Sequence, residues 1–151
     1  MNKAGAATRA ATPTAHVLIG RLLATADRFR SRLEGALAMA DLSMAKVSVL
    51  QILSDAGEPM ALSELAEHNR CVRSNITQLV DRLEKDGFVR RIMDPADRRI
   101  RRAELTAAGR KAHAAAARIV AVEEHELMKD LSASERIALE AATNSLHGCG
   151  R

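Results

Sequence analysis

The chain has 151 residues, 47% of them hydrophobic, two cysteines and a formal net charge of +4. That is enough for one domain with a core, or a domain plus a dimerisation arm, and it excludes a disordered polymer or a disulfide-stapled mini-domain. No window reaches the roughly 18 apolar residues of a membrane span, and the absence of Trp and Tyr leaves only Phe29 and Phe88 among aromatics, so Ala, Leu, Val, Ile and Met must fill a core that favours helices.

Residues 1–14, rich in Ala and Thr, read as a disordered tail. The opening stretch MNKAGAATRAATPTAHVLIG lacks the apolar run of about 7–15 residues that a signal peptide carries. Over 16–39, Leu18, Leu22, Ala26, Phe29, Leu33 and Leu37 recur at helical spacing, one face of a long helix preceded by Pro13 and Thr14 as start signals. That face is longer than one small core needs and is expected to continue into a partner chain. Residues 42–57 read as a second helix, capped by Ser43, stopped at Gly57, and buried along Val47, Leu50 and Leu53. Residues 58–61 are extended or a short strand. A short third helix follows over 62–69, with Ser63 as cap and Leu65 and Ala66 facing in.

The fourth helix, 74–87, has the clearest stripe: Ile76, Leu79, Val80 and Leu83. Its other face carries Ser74, Thr77, Gln78, Asp81 and Lys85. Residues 88–93 are β-prone, Asp94 and Pro95 signal a turn, and 100–105 return as a second strand. Thr106 caps a long Ala-rich helix to Met128. Ser132 and Glu135 form a capping box for a last helix ending near His147. The fold class is mainly α with a small β-hairpin. A winged helix-turn-helix lobe over 42–105 is flanked by N- and C-terminal dimerisation helices over 15–41 and 106–148.

Charge is uneven along this order. Residues 70–102 hold ten Lys/Arg against five Asp/Glu, a basic block that suits a polyanion surface. A helix that reads DNA needs a buried stripe to hold it and short polar side chains on its other face. Ser74, Asn75, Thr77 and Gln78 meet that need, with Arg73 before them and Arg82 further along. At the hairpin, Arg98 and Arg99 can reach the backbone or the adjacent minor groove, with Arg101 on the outgoing strand. Asp97 can pair with an arginine and fix its direction. Arg90, Arg91 and Arg102 stand on strand positions that alternate faces, so only part of them can reach phosphate.

Two segments in this order resemble the MarR family of bacterial transcriptional regulators. TQLVDRLEKDGFVRR matches the family's recognition-helix signature. DPADRRIRRAELTAAG matches its wing-to-helix signature, D-P-x-D-R-R followed by L-T-x-x-G. The resemblance covers about 62–110 in motif and 16–147 in element order. It implies a homodimer in a bacterial cytoplasm that binds palindromic operators in double-stranded DNA, most often as a repressor, and is released by a small-molecule effector such as an aromatic acid. Arg70 stands where the family usually has Gly and Val72 where a capping Ser or Thr is common, so Ser74 is expected to take over the cap. The effector pocket is expected between the dimerisation helices and the reading lobe, with His16, Leu22, Phe29 and Met44 as candidates to line it.

Blander readings stand beside these. Cys71, in the turn before the fourth helix, is either a redox switch or a small buried hydrophobe. Peroxide-sensing relatives keep their reactive cysteine in the first helix, and this chain has none before residue 71. Cys149 lies in a tail. The five histidines show no metal-ligand spacing. With no nucleophile motif, phosphate loop or paired catalytic acids, the chain reads as a non-enzyme that needs no cofactor. The rivals to an operator-specific regulator are a redox-responsive regulator acting through Cys71, a sequence-tolerant architectural DNA binder, and a winged-helix module that binds protein. The arginine-rich wing disfavours the last, because protein-facing wings need apolar anchors.

Overall fold

The computed structural model describes residues 13–69, 73–97 and 99–148, with the backbone alone at Arg73, Ser74, His147 and Gly148. The first helix, α1 (Ala15–Ala38), has 24 residues and is about 36 Å long at 1.5 Å per residue. Only its second half finds a core in its own chain. Leu33 and Leu37 are buried and Phe29 partly so, whereas Leu18 and Leu22 face solvent.

Helix α2 (Met44–Ala56) starts at Ser43, whose side chain accepts from the Lys46 amide, and ends at Gly57 with φ 67°. That left-handed conformation is strained for any residue with a Cβ. The next residues form a short strand, β1 (Met60–Ala61), and then α3 (Leu62–His68). The expected Ser63 cap is not used. The N-cap residue is Ala61, whose amide donates to the Glu64 carboxylate at 3.0 Å. Ala61 is already held extended opposite Arg102, so the helix begins where the strand ends and Ser63 falls in its first turn.

Helix α4 (Arg73–Lys85) begins one residue before the expected start. Ser74 is therefore its second residue rather than its cap, and the cap position, with Arg70 and Cys71, lies outside the described residues. Ile76, Val80 and Leu83 are fully buried and Leu79 packs against them, as the stripe requires. Strands β2 (Val89–Met93) and β3 (Arg101–Leu105) pair antiparallel with Arg91 opposite Ala103. The expected two-stranded wing is a three-stranded sheet in the order β1-β3-β2, because β1 adds to the free edge of β3 with Met60 opposite Ala103.

Helix α5 (Ala107–Met128) leaves the sheet at Thr106. The Thr106 hydroxyl oxygen accepts from the Gly109 amide at 3.0 Å and donates to the Gly87 carbonyl at 2.7 Å. Gly109 lies so close to β2 that a Cβ there would sit 1.9 Å from the Phe88 carbonyl oxygen. The last helix, α6 (Ala133–Gly148), opens with the expected box: the Ser132 amide donates to Glu135 at 2.8 Å and the Glu135 amide to the Ser132 hydroxyl at 3.3 Å.

One core joins the elements. Leu37 of α1, Val49 and Leu50 of α2, Leu65 of α3, the α4 stripe, Val89 and Ala103 of the sheet and Ala116 of α5 are all buried in it. Helix α6 takes no part, and all its described side chains are exposed. Among the described residues no helix is long and apolar enough to cross a membrane.

Candidate nucleic-acid interface

With Ile76, Val80 and Leu83 turned into the core, the opposite face of α4 is open. Asn75, Thr77, Gln78, Arg82 and Lys85 are all exposed on it. Arg73 and Ser74 lie in the first turn of the same helix, and their side chains are outside the described residues. Arg82 and Lys85 make no ion pair with described residues, and neither does exposed Arg101 on β3.

The remaining arginines of the basic block are mostly engaged within the chain. The Arg90 guanidinium pairs with Glu104 across the β2–β3 ladder. Arg91 grips α4 at three points: Asp81 at 2.5 Å, Glu84 at 3.0 Å and the Thr77 carbonyl at 3.2 Å. Arg102, on the central strand, points inward to Asp94 and donates from its other arm to the Pro59 carbonyl at 3.0 Å. Arg91 and Arg102 therefore orient helix and strand rather than offering charge outward, while Arg90 is paired yet 68% exposed. Their carboxylate partners are spread over 81, 84, 94 and 104, and only the sheet register and the packing of α4 on β2 show which belongs to which.

At the wing tip, Asp94 and Pro95 open the turn as expected. The Asp94 carboxylate accepts from the amides of Ala96 at 2.7 Å and Asp97 at 3.0 Å. It is buried, at 5% exposure, yet the Arg102 hydrogen bond and then the two amides hold its pKa below the usual carboxylate range. Asp97 takes the Arg99 amide at 2.9 Å and both arms of the Arg99 guanidinium at 3.1 Å. The side chain of Arg99 remains 91% exposed, and its hydrogen bonds lower the Asp97 pKa. Asp97 thus holds Arg99 in one direction, the pairing left open between arginines in the sequence. Arg98 lies outside the described residues.

Sequence reasoning missed Asp94 with Arg102, and Arg91 with Asp81 and Glu84. The Asp-Pro turn signal singled out Asp94, but nothing local reveals a partner eight residues on.

The four effector candidates are not brought together. Leu22 lines an apolar groove of about 520 Å³ between the first half of α1 and Leu139, Ala142, Thr143 and Leu146 of α6. Leu22 and Phe29 line an adjoining hollow of about 370 Å³ closed by Leu127, Met128 and Leu131. His16 and Met44 line neither. Among the described residues no group of three or more His, Cys, Asp or Glu is placed to hold a metal ion.

Helix α2, the α3–α4 pair and the three-stranded wing define a winged helix-turn-helix lobe. A profile described as the MarR family matches residues 42–100. The HTH-type transcriptional regulator YfiV of Bacillus subtilis is 41% identical over 71 residues, 47% of this chain and 44% of that protein. The chain thus spans less than half the length of the curated relatives it matches. A MarR-like transcription regulator from Bacillus cereus superposes with a TM-score of 0.79 at 23% identity, over 90% of this chain and 97% of that one. A mutant MarR from E. coli complexed with operator DNA superposes with a TM-score of 0.73 at 26% identity, over 87% and 94%. Over residues 42–100, its winged helix-turn-helix lobe, the chain is thus similar to the MarR family of transcriptional regulators.

Proposed function

We propose that the protein is a homodimeric, ligand-responsive repressor that binds palindromic operators. The observation that carries this reading is the pairing of two surfaces. An open α4 face bears Asn75, Gln78, Arg82 and Lys85, and beside it stands a wing whose Arg99 is forked onto Asp97 yet 91% exposed. In this reading α4 enters a major groove, where Gln78 and Asn75 read adenine edges, and Arg99 enters the flanking minor groove, whose negative potential attracts it. Arg73, Ser74, Thr77, Arg82, Arg98 and Arg101 complete the contact surface, mostly at phosphate.

The exposed apolar residues of α1 and α6 support the dimer, and the groove between these helices offers an effector a place near that interface. Effector binding there would change the separation of the two α4 helices, which must match half-sites about 34–36 Å apart.

A gel-shift titration on the promoter region of the protein's own gene at several salt concentrations tests this. Tight binding that weakens steeply with salt is expected. Absence of binding, or binding indifferent to salt or to scrambling of the duplex, would overturn it. Two substitutions separate the surfaces. Arg99→Ala is expected to weaken all duplexes similarly and to flatten the salt slope by about one unit, whereas Gln78→Ala is expected to change which bases are preferred.

A further inference from the structure

A chain of hydrogen bonds runs from the body of the lobe to the wing tip. It starts at the Pro59 carbonyl, in the loop entering β1, which accepts from Arg102 Nη1 at 3.0 Å. The other arm of Arg102, Nε, donates to Asp94 Oδ2. Asp94 Oδ1 takes the amides of Ala96 and Asp97, at 2.7 and 3.0 Å. The loop is closed by the Asp94 amide on the Ile100 carbonyl at 3.0 Å and the Ile100 amide on the Asp97 carbonyl at 2.9 Å. Asp97 then forks onto the amide and guanidinium of Arg99.

We infer that Arg102 and Asp94 are positioning residues that aim Arg99: the pair fastens the wing turn to the loop before β1 and so sets the height at which Arg99 is presented beside α4. The inference rests on the operator-binding reading and deepens it. Two of the three guanidinium nitrogens of Arg102, Nε and Nη1, are committed inside the protein, and its side chain is 32% exposed against 91% for Arg99. Asp94 is the buried charged side chain among the described residues, and burial of a carboxylate demands the partners it has. An exposed arginine loses side-chain entropy when a groove immobilises it. A wing tied at its root and a fork at its tip meet that loss before DNA arrives.

The test is a double-mutant cycle by fluorescence anisotropy on the promoter duplex at fixed salt, with wild type, Arg99→Ala, Arg102→Met and the double variant. Each single substitution is expected to weaken binding about tenfold. The double is expected to be no weaker than either single, because Arg102 acts through Arg99. Hydroxyl-radical footprinting is expected to show minor-groove protection lost in Arg102→Met while dimethyl sulfate footprinting shows guanine N7 protection in the major groove persisting, a split that general destabilisation does not produce. Asp94→Asn guards against a folding defect. It keeps an oxygen for the turn amides and removes the charge that holds Arg102, and the same non-additivity with Arg99→Ala is expected. Additive losses, or intact minor-groove protection in Arg102→Met, would overturn the aiming role alone. Failure of the wild-type chain to bind the duplex would overturn the operator reading and this inference together.

Discussion

The Asp94 carboxylate takes hydrogen bonds from the Arg102 guanidinium and then from the amides of Asp97 and Ala96, and they lower its pKa. A folded-state pKa below the unfolded value of about 3.9 gives stabilisation that is complete above that pH and is lost as pH falls through the lower folded value. Asp97 is shifted the same way, first by Arg99, so the wing tip as a whole loosens in acid. In chemical denaturation across a pH series, wild type is expected to lose stability below pH about 4 relative to Asp94→Asn, so the gap between them narrows there. A gap independent of pH would show that the charge of Asp94 contributes nothing. The turn role of Asp94 was legible from Asp-Pro alone, since that chemistry is local. Its charge partner was not. Arg102 meets Asp94 only because β3 pairs with β2 on one side and β1 on the other, and a register is a tertiary fact. For the same reason the sequence shows only that part of Arg90, Arg91 and Arg102 can reach outward, and not that each is tied to a carboxylate of the chain.

At the scale of elements, periodicity and caps carried most of the fold. The α4 stripe, the Ser43 and Thr106 caps and the Ser132–Glu135 box all formed as their spacing demands. What failed did so where two elements share residues. Ala61 ends β1 and caps α3 at once, so the hydroxyl of Ser63 had no cap to fill. The L-T-x-x-G motif acquires a mechanical reason. Thr106 ties the start of α5 to Gly87, and Gly109 lets that first turn rest on the Phe88 carbonyl. A methyl at 109 would collide with backbone, which cannot rotate away. Gly109→Ala is expected to cost about 1–3 kcal/mol, the scale of overpacking. Thr106→Ala is expected to cost about 0.5–2 kcal/mol for the lost cap, with Thr106→Ser largely spared. Urea denaturation of the three variants checks both values, and a Gly109→Ala protein as stable as wild type would show that α5 docks less closely than the structure has it.

For the whole molecule, the decisive surface is the one its own core leaves uncovered. Val17, Leu18, Ile19, Leu22 and Leu23 of α1 and Ile137 and Leu146 of α6 are 40–67% exposed, and the two helices line one apolar groove. Contiguous apolar surface of this kind marks an interface. In the proposed homodimer a second copy would cover it, since a two-fold contact pairs each stripe with its own equivalent. Burying one leucine side chain stabilises by roughly 1.5–3 kcal/mol. Leu22 is 46% exposed in the single chain, so about half of that is gained at each site; by symmetry Leu22→Asp removes it twice, which corresponds to a dimer dissociation constant higher by a factor on the order of 10–10². Sedimentation equilibrium is expected to show wild type as a dimer and Leu22→Asp shifting toward the 16.3 kDa monomer. Met39→Asp serves as control, since Met39 is 90% exposed but lines neither hollow, and it should leave the dimer intact. The same Leu22 variant is expected to lose most of its affinity for a full operator while binding a single half-site as weakly as wild type does, because linked half-sites act through effective concentration. A Leu22→Asp protein that stays dimeric and binds the full operator normally would place the interface elsewhere and leave the α1–α6 groove without its partner.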